Sequence, residues 1–220
     1  MKAVIFDMDG LMFDTERVFI SAWDYAGEKM GIGKAGFMTM KTLGMNIVMS
    51  RTIWKEEFGE AYNENELRKY TKEFLKDYYN NNRIPVKKGL YNLLEYLSKR
   101  NFQLAVASSS PKWEVEQHLI DANVFGYFNT IVCGDMIEKS KPEPDIYLKA
   151  CELLKISPSK CIALEDSKNG LISAINAGCK VIMVPDLWQA DDEIKERVPA
   201  ILRDLDDVKE YIEKMNISNI

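Results

Sequence analysis

Five short apolar runs recur along this 220-residue chain, and they constrain its fold more than any other feature. Most are rich in β-branched residues, and they cover residues 3–6, 104–107, 130–133, 161–164 and 181–184. Helical patterns follow all but the first, and two serine-proline pairs, Ser110-Pro111 and Ser157-Pro158, each predict a helix start. Continuously apolar strands that alternate with helices are typical of a parallel sheet covered on both faces. The sequence therefore predicts an α/β protein with a doubly wound parallel sheet.

The gap between the first two runs is too long for a single crossover and contains no convincing strand. Amphipathic patterns predict two helices in it, around residues 18–26 and 67–78, with a methionine-rich stretch at residues 37–50 between them. Residues 16–86 hold 11 basic and 10 acidic side chains, whereas the rest of the chain holds 18 and 24. We therefore expect a nearly neutral helical unit, residues 16–85, inserted into an acidic core of residues 1–15 and 86–220.

Composition and charge argue against several classes of protein. Hydrophobic residues make up 46% of the chain, enough for a packed core. The net charge of −5 has the wrong sign for a nucleic-acid binder. No apolar run approaches the roughly 20 residues that cross a bilayer, and Asp7 interrupts the apolar N-terminus too early for a signal peptide. We expect neither nucleic acid nor membrane as a partner, and a monomer, since no coiled-coil seam is apparent.

Cysteine and histidine chemistry is also disfavoured. The cysteines form no CxxC pair, which favours small buried side chains in a reducing, cytoplasmic compartment. They are Cys133, Cys151, Cys161 and Cys179. The single histidine, His118, has no cysteine close by in sequence for a zinc site, and its helical pattern is typical of a packing or surface residue. Any catalysis is therefore expected to use carboxylates.

Charged and hydroxyl side chains follow the predicted strands, at the edge where an open parallel sheet binds ligands. They are Asp7 and Asp9, then Ser108, Ser109 and Ser110, then Lys141 before a helix predicted near residue 144, and finally Glu165 and Asp166. Taken singly, Asp166 or Ser110 is explained as a helix cap and Lys141 as a solvated lysine. Asp7 is different, because an acidic residue that ends a buried strand is costly to hold without a purpose.

The charge of this group indicates what it binds. Two like charges about 4 Å apart repel by about 4 kcal/mol at an effective dielectric of 20, so four carboxylates need a cation or a proton. Oxygen ligands suit Mg²⁺, which commonly binds one or two carboxylates together with a substrate phosphate. Ser108, backbone N–H groups from Ser109 onward and Lys141 are then expected to hold phosphate oxygens. Asp7 fits a nucleophile that forms an aspartyl-phosphate, and Asp9 fits the general acid and base.

Four segments of the chain resemble the motifs of the haloacid dehalogenase superfamily. They are residues 7–16 (DMDGLMFDTE), 105–110 (AVASSS), 141–145 (KPEPD) and 163–167 (ALEDS). Their order and spacing match over essentially the whole chain. The resemblance is closest to the β-phosphoglucomutase-like branch, which contains sugar-phosphate phosphatases and mutases. It implies a Rossmann-like core with a helical cap inserted after the first strand.

The resemblance also implies roles for individual residues. Asp7 corresponds to the nucleophile and Asp9 to the acid and base, and the acid at Asp9 argues against dehalogenation. The Mg²⁺ ligands correspond to Asp7, the backbone carbonyl of Asp9, and Asp166, with Glu165 close by or bound. The phosphate binders correspond to Ser108 and Lys141.

Two departures from the mutase pattern favour hydrolysis. Phe19 stands where the mutase has a histidine, and Ile47 stands where it has a cap arginine, unless a gap aligns Arg51 there instead. Both losses disfavour a retained bisphosphate intermediate. We therefore expect a Mg²⁺-dependent phosphatase that hydrolyses a small phosphate monoester through an aspartyl-phosphate.

Other functions remain open at this stage. A sugar or polyol phosphate as substrate is an analogy with the family. The alternatives are a β-phosphoglucomutase-like mutase and, from another class, a non-catalytic phosphate-binding or regulatory module. The methionine-rich stretch, with Asn46 as a polar point, either faces the leaving group or packs inside the cap. Hinges for cap motion are predicted near residues 13–16 and 85–88.

Overall fold

The structure is a computed structural model, and it describes residues 1–45 and 47–217. Its strands are β1 (Ala3–Phe6), β2 (Gln103–Ser108), β3 (Thr130–Cys133), β4 (Cys161–Glu165), β5 (Lys180–Met183) and β6 (Ala200–Ile201). All pair in parallel, in the order β3-β2-β1-β4-β5-β6, so the chain winds outward on both sides of the central β1. The predicted doubly wound sheet is confirmed. The two-residue β6 was not predicted, because so short a run has no periodicity.

Helices connect the strands and form the insertion after β1. They are α1 (Thr15–Met30), α2 (Met38–Thr42), α3 (Ile47–Phe58), α4 (Glu64–Asn81), α5 (Leu90–Lys99), α6 (Lys112–Asp121), α7 (Asp145–Leu154), α8 (Lys168–Asn176), α9 (Asp192–Arg197) and α10 (Leu205–Ile217). Pro111 lies directly before α6, as the serine-proline pair predicted. The second pair also begins a helix, with Ser157 at the N-cap and Pro158 at the first position, but Pro158–Lys160 forms only one 3₁₀ turn before β4.

Helices cover both faces of the sheet, and the alternation along β1 shows how. Val4 and Phe6 point into one apolar cluster, which includes the leucine face predicted for α5 and buried residues of α6 and α10. Ala3 and Ile5 point into a second cluster, formed with α7, α8 and α9. A strand between two such layers must be apolar at every position, which explains the uninterrupted runs in the sequence.

The helices between β1 and β2 bury an apolar cluster of their own. Trp54 of α3 is 1% exposed at its centre, and Leu67 of α4 and Ala26 of α1 pack there. The Trp54 ring stacks on Tyr62, with ring centroids 5.8 Å apart, and meets Trp23 edge-on at 5.2 Å. The insertion therefore has an internal source of stability that is separate from the two clusters beside the sheet.

His118 packs where the insertion returns to the sheet. Its ring is 5% exposed and lies 6.1 Å from the ring centroid of Phe13 and 5.5 Å from that of Tyr79 on α4. Burial lowers its pKa, which favours the neutral imidazole. This position agrees with the packing role expected from the sequence.

None of the four cysteines forms a disulfide in the described structure. Cys133, Cys151 and Cys161 are buried, Cys179 is half-buried, and all carry free thiols. Within residues 1–45 and 47–217, no helix combines the length and the apolar character needed to cross a bilayer.

Candidate active site

The strand register brings the predicted site residues to one edge of the sheet. Phe6 at the end of β1 lies level with Val106 of β2 and Leu164 of β4. The residues that follow these positions therefore meet at the carboxyl edge, where a cavity of about 370 Å³ opens. Its lining includes Asp7, Asp9, Ser109, Lys141 and Asp166 from the predicted set. Ser108 and Glu165 are fully buried.

Lys141 is buried between two carboxylates and an aromatic ring. Its Nζ donates to Asp7 Oδ1 at 2.6 Å and to Glu165 Oε1 at 2.6 Å, and the side chain is 2% exposed. The same Nζ lies 5.4 Å from the ring centroid of Tyr147. Burial lowers the pKa of Lys141, but the two carboxylates outweigh burial and hold the pKa above its usual value. The ammonium group is therefore charged and fixed at Asp7.

Glu165 is saturated with hydrogen bonds. Oε1 accepts from Lys141 and from the Tyr147 hydroxyl at 2.7 Å. Oε2 accepts from the backbone N–H groups of Asp166 and Ser167, at 3.2 and 3.3 Å, and from the Ser167 hydroxyl at 3.2 Å. Such a carboxylate is well placed to hold Lys141, whereas its contact with a metal ion stays a prediction. Tyr147 was missed, because nothing in an amphipathic helical pattern marks one aromatic residue as a partner of Glu165.

Asp166 is the carboxylate that lacks a partner. Its side chain is 1% exposed, and neither oxygen has a hydrogen-bond partner in the part of the chain that the structure describes. Burial, and then the charges of Asp7 and Glu165, raise its pKa well above the usual value. Burial and Glu165 also raise the pKa of Asp7 to about 8, although Lys141 opposes the shift. An unpaired buried carboxyl is expensive, so this arrangement calls for a bound cation or a proton.

The same carboxylates fit a Mg²⁺ ion. Asp7, Glu165 and Asp166 can each offer an oxygen atom, and these atoms lie within 4.8 Å of one another. Carboxylate oxygens are the ligands that Mg²⁺ prefers. Gly10, at φ 79°, lets the turn after β1 pass directly against Asp166, because a Cβ atom there would overlap the Asp166 carboxylate.

Two hydroxyl groups hold Asp9. Thr15 Oγ1 donates to Asp9 Oδ1 at 2.7 Å, and Ser110 Oγ donates to Oδ2 at 2.8 Å. Sequence reasoning assigned neither residue to Asp9, although Thr15 lies within the first motif and Ser110 within the second. Hydroxyl groups on both oxygens fix the orientation of the carboxyl.

The serines that follow β2 contact different partners. Ser108 Oγ accepts the backbone N–H of Ser110 at 3.1 Å and lies 3.4 Å from Asp9 Oδ2. That N–H group is therefore engaged within the turn, although it was one of the predicted phosphate donors. Ser109 lines the cavity, and its hydroxyl donates to the carbonyl oxygen of Gly44 at 3.5 Å. Phosphate contacts of Ser108 and Ser109 stay predictions.

The insertion supplies the other wall of the cavity. Phe19 and Trp23 of α1 line it, as do Thr39, Thr42, Gly44, Met45 and Ser50. The methionine-rich stretch is thus divided: Met38 packs inside the insertion, whereas Met45 lines the cavity. The prediction for Asn46 falls outside the described residues.

Three carboxyls that sequence reasoning did not assign also line the cavity, Glu16, Glu114 and Asp135. Glu16 begins α1 directly after Thr15, and Glu114 lies in the first turn of α6. Burial, followed by the charge of Asp9, raises the pKa of each to about 8. Glu16 lies within the first motif and Glu114 one helical turn beyond Ser110, so both positions were open to consideration.

The comparisons with known proteins agree with this geometry. A family model described as "Haloacid dehalogenase-like hydrolase" matches residues 4–184. The phosphorylated carbohydrates phosphatase of Thermotoga maritima is 31% identical over 191 residues, 83% of this chain and 84% of that protein. The β-phosphoglucomutase of Bacillus subtilis is 32% identical over 195 residues, 81% and 80% of the two chains.

A solved structure extends the likeness to the fold. CbbY from Rhodobacter sphaeroides, in complex with phosphate, superposes with a TM-score of 0.78 at 22% identity, covering 94% of this chain and 96% of that chain. The family match covers most of the chain and includes all four motifs. The chain therefore belongs to the haloacid dehalogenase-like hydrolases, in their β-phosphoglucomutase-like branch, and is a phosphatase of that family.

Proposed function

We propose that this phosphatase hydrolyses a small sugar or polyol phosphate, with Mg²⁺ bound, through an aspartyl-phosphate on Asp7. One observation carries the proposal. Asp7 is held by the charged Lys141 beside the unpaired, buried Asp166, and all three line a cavity large enough for a small ester. A nucleophile, a fixed cation and a vacant anionic ligand are what phosphoryl transfer to a carboxylate requires.

The first step forms the bond between Asp7 and phosphorus. Lys141 fixes Oδ1 of Asp7, which leaves Oδ2 free to attack. The phosphorus–oxygen bond of the ester breaks as the new bond forms, and the Asp9 carboxyl gives its proton to the departing oxygen. Thr15 and Ser110 hold Asp9 in orientation for this transfer.

The second step hydrolyses the aspartyl-phosphate. Asp9, now a carboxylate, takes a proton from a water molecule that attacks phosphorus, and the bond between phosphorus and Asp7 breaks. Free phosphate leaves, and Asp7 and Asp9 return to their starting states. Lys141 and the hydroxyl of Ser109 contact phosphoryl oxygens, with Ser108 behind them.

Mg²⁺ fits the vacant position beside Asp166. Asp7, Asp166 and the backbone carbonyl of Asp9 would hold it, with Glu165 close by. When bound, it would offset negative charge on the phosphoryl oxygens and bring a phosphate dianion within reach of carboxylates.

Residues 16–85 act in this proposal as a cap over a core of residues 1–15 and 86–220. The two chain segments that connect the core to the cap run side by side. Asp14 N–H donates to Pro85 O at 2.8 Å, and Lys87 N–H donates to Met12 O at 2.9 Å. Paired segments favour one hinge rather than two independent ones. Phe19 and Trp23 on the cap then face the leaving group.

Hydrolysis is favoured over mutase chemistry by the charges around the cavity. A bisphosphate intermediate needs cations for its second phosphate, yet Lys141 is the only cation among the described lining residues. Arg51, a candidate for the mutase arginine, is bound to Glu64 with Nε 2.6 Å from Oε2. A non-catalytic module is disfavoured because such a module has little need for both Asp7 and Asp9.

The proposal is tested by following products as well as phosphate. The purified protein is given a panel of sugar and polyol phosphates, with and without Mg²⁺, and phosphate release is compared with sugar-phosphate isomerisation. We expect Mg²⁺-dependent release, abolished in Asp7→Asn and unchanged in Asp121→Asn, a surface control on α6. Isomerisation faster than release would favour the mutase, and full activity in Asp7→Asn would refute the mechanism.

A further inference from the structure

The leaving-group half of the cavity has a charge pattern that the phosphoryl chemistry does not use. We infer, resting on the proposed phosphatase function, that this half binds a protonated amine, so that the preferred substrate is the phosphate ester of an amino sugar or amino alcohol. Glu16, Glu114 and the aromatic pair Phe19 and Trp23 form the subsite. Neutral esters are then weaker substrates, and esters with a second anionic group are the weakest.

The charge balance of the cavity favours a cationic leaving group. The described lining contains six carboxyls, Asp7, Asp9, Glu16, Glu114, Asp135 and Asp166, and one cation, Lys141. Asn46, Ile47 and Val48, whose side chains are not among those described, carry no positive charge. The +2 charge of a bound Mg²⁺ and the +1 charge of Lys141 balance the three negative charges of Asp7, Asp166 and Glu165. Glu16, Glu114 and Asp135 are then left without a cation among the described lining residues.

The face that α1 presents to the cavity also suits an ammonium group. Glu16, Phe19 and Trp23 recur at i, i+3 and i+7, so they share one side of the helix. The rings of Phe19 and Trp23 lie edge to face, with centroids 5.9 Å apart. A carboxylate beside aromatic rings is the combination that attracts an organic ammonium group, through charge and through cation–π contact.

Glu16 and Glu114 lack cationic partners among the described residues. No described lysine or arginine pairs with Glu16 or Glu114, and the groups that influence both are carboxylates. Burial raises the pKa of each carboxyl to about 8, as expected for a group whose counter-ion is missing. An ammonium group on the substrate supplies that counter-ion. A carboxylate or second phosphate does the opposite.

The test is a series of esters matched in size and different in charge. Glucosamine 6-phosphate, glucose 6-phosphate and 6-phosphogluconate form one series. Phosphoethanolamine, 2-hydroxyethyl phosphate and phosphoglycolate form a smaller one. We expect kcat/KM to fall about tenfold at each step from amine to neutral to carboxylate in at least one series, which corresponds to about 1.4 kcal/mol of charge interaction per step. The KM should carry most of the difference.

Variants identify the residues responsible. Glu16→Gln and Glu114→Gln should each reduce the preference for the amine over the neutral ester at least fivefold. Glu116→Gln is the matched control: it lies on the same helix as Glu114, pairs with Lys112 at 3.7 Å, and should leave the preference unchanged.

The outcomes separate this inference from the phosphatase proposal. Equal rates within both series, a preference for the carboxylate, or an unchanged preference in both glutamine variants would overturn the ammonium subsite while leaving a phosphatase. p-Nitrophenyl phosphate serves as the general reporter. If neither it nor any member of the series is hydrolysed, the phosphatase proposal fails with the inference.

Discussion

Removing the buried ammonium group of Lys141 tests how the site and the fold depend on one charge. Methionine is similar in length to lysine and uncharged, so Lys141→Met keeps most of the packing and deletes the cation. Asp7, Glu165 and Asp166 then remain together in a buried site without any positive side chain among them. We expect a large loss of stability, and loss of phosphatase activity with it.

The size of the loss follows from the burial of the ion pairs. Lys141 Nζ lies 2.6 Å from oxygens of Asp7 and Glu165, and the three side chains are 2%, 9% and 0% exposed. Removing one partner of a buried pair costs about 3–5 kcal/mol. Losing both ion pairs does not double this cost, because a carboxylate that has lost its partner takes up a proton instead of remaining charged.

The pH dependence separates charge from packing. Lys141 lowers the pKa of Asp7, so without it that pKa rises further above its value in the unfolded chain. A carboxyl with a raised pKa in the folded state destabilises the fold increasingly as pH rises from the unfolded pKa to the folded one. Because the pKa of Asp7 is already about 8 in the parent protein, the two proteins differ in this respect only as pH rises past 8, and the penalty of Lys141→Met should be smaller at pH 6.5 than at pH 9.

Urea unfolding followed by circular dichroism, with EDTA present, measures both quantities. The control is Lys99→Met, because Lys99 Nζ also lies 2.6 Å from a carboxylate, that of Glu95, but the two side chains are 72% and 59% exposed. It should lose far less stability than Lys141→Met, because an exposed ion pair contributes little to stability. Equal losses in the two variants would refute the reasoning from burial. A loss that is the same at both pH values would assign it to packing.

Three further substitutions test other parts of the structure. Glu114→Gln should be more stable than the parent protein, by a margin that grows from pH 5 to pH 9 by about 4 kcal/mol at most, because a carboxyl whose folded pKa is raised to about 8 costs more as pH rises; thermal unfolding at both pH values measures it. Gly170→Ala should lose about 2 kcal/mol in urea, because its Cβ would overlap Glu165, whereas Gly126→Ala, with open space around it, should change little. Trp54→Ala should lose about 3–5 kcal/mol and expose the cap to protease first.

The sheet was predictable because its signal is local and continuous. Between two helical layers, every position of β1 and β4 is buried, so β1 appears as an unbroken apolar run and β4 as one that ends at Glu165. The order of the strands then places the ends of β1, β2 and β4 at one edge. A feature of two or three residues, such as β6 or the 3₁₀ turn at Pro158, depends on tertiary contacts and carries no comparable signal.

The site was predictable as a set of chain positions but not as a set of contacts. Strand ends placed Asp7, Ser108 and Glu165 near one another, because the register of a parallel sheet decides this. The burial of Lys141 has another origin, since a lysine before a proline is usually solvated and only the folded chain brings Tyr147 and two carboxylates around it. Which faces of α1 and α6 line the cavity likewise depends on how the helices dock.

The proposed chemistry and the loss of stability that the site imposes on the fold have the same origin. Three buried carboxylates against one ammonium group leave an excess of two negative charges, which no described neighbour balances. A protein that balanced them with its own side chains would be more stable, but it would have no position left for a divalent cation and a phosphate. The two apolar layers beside the sheet are where the compensating stability must come from. On this argument, ligands that complete the charge balance stabilise the fold, since they bind the native state alone.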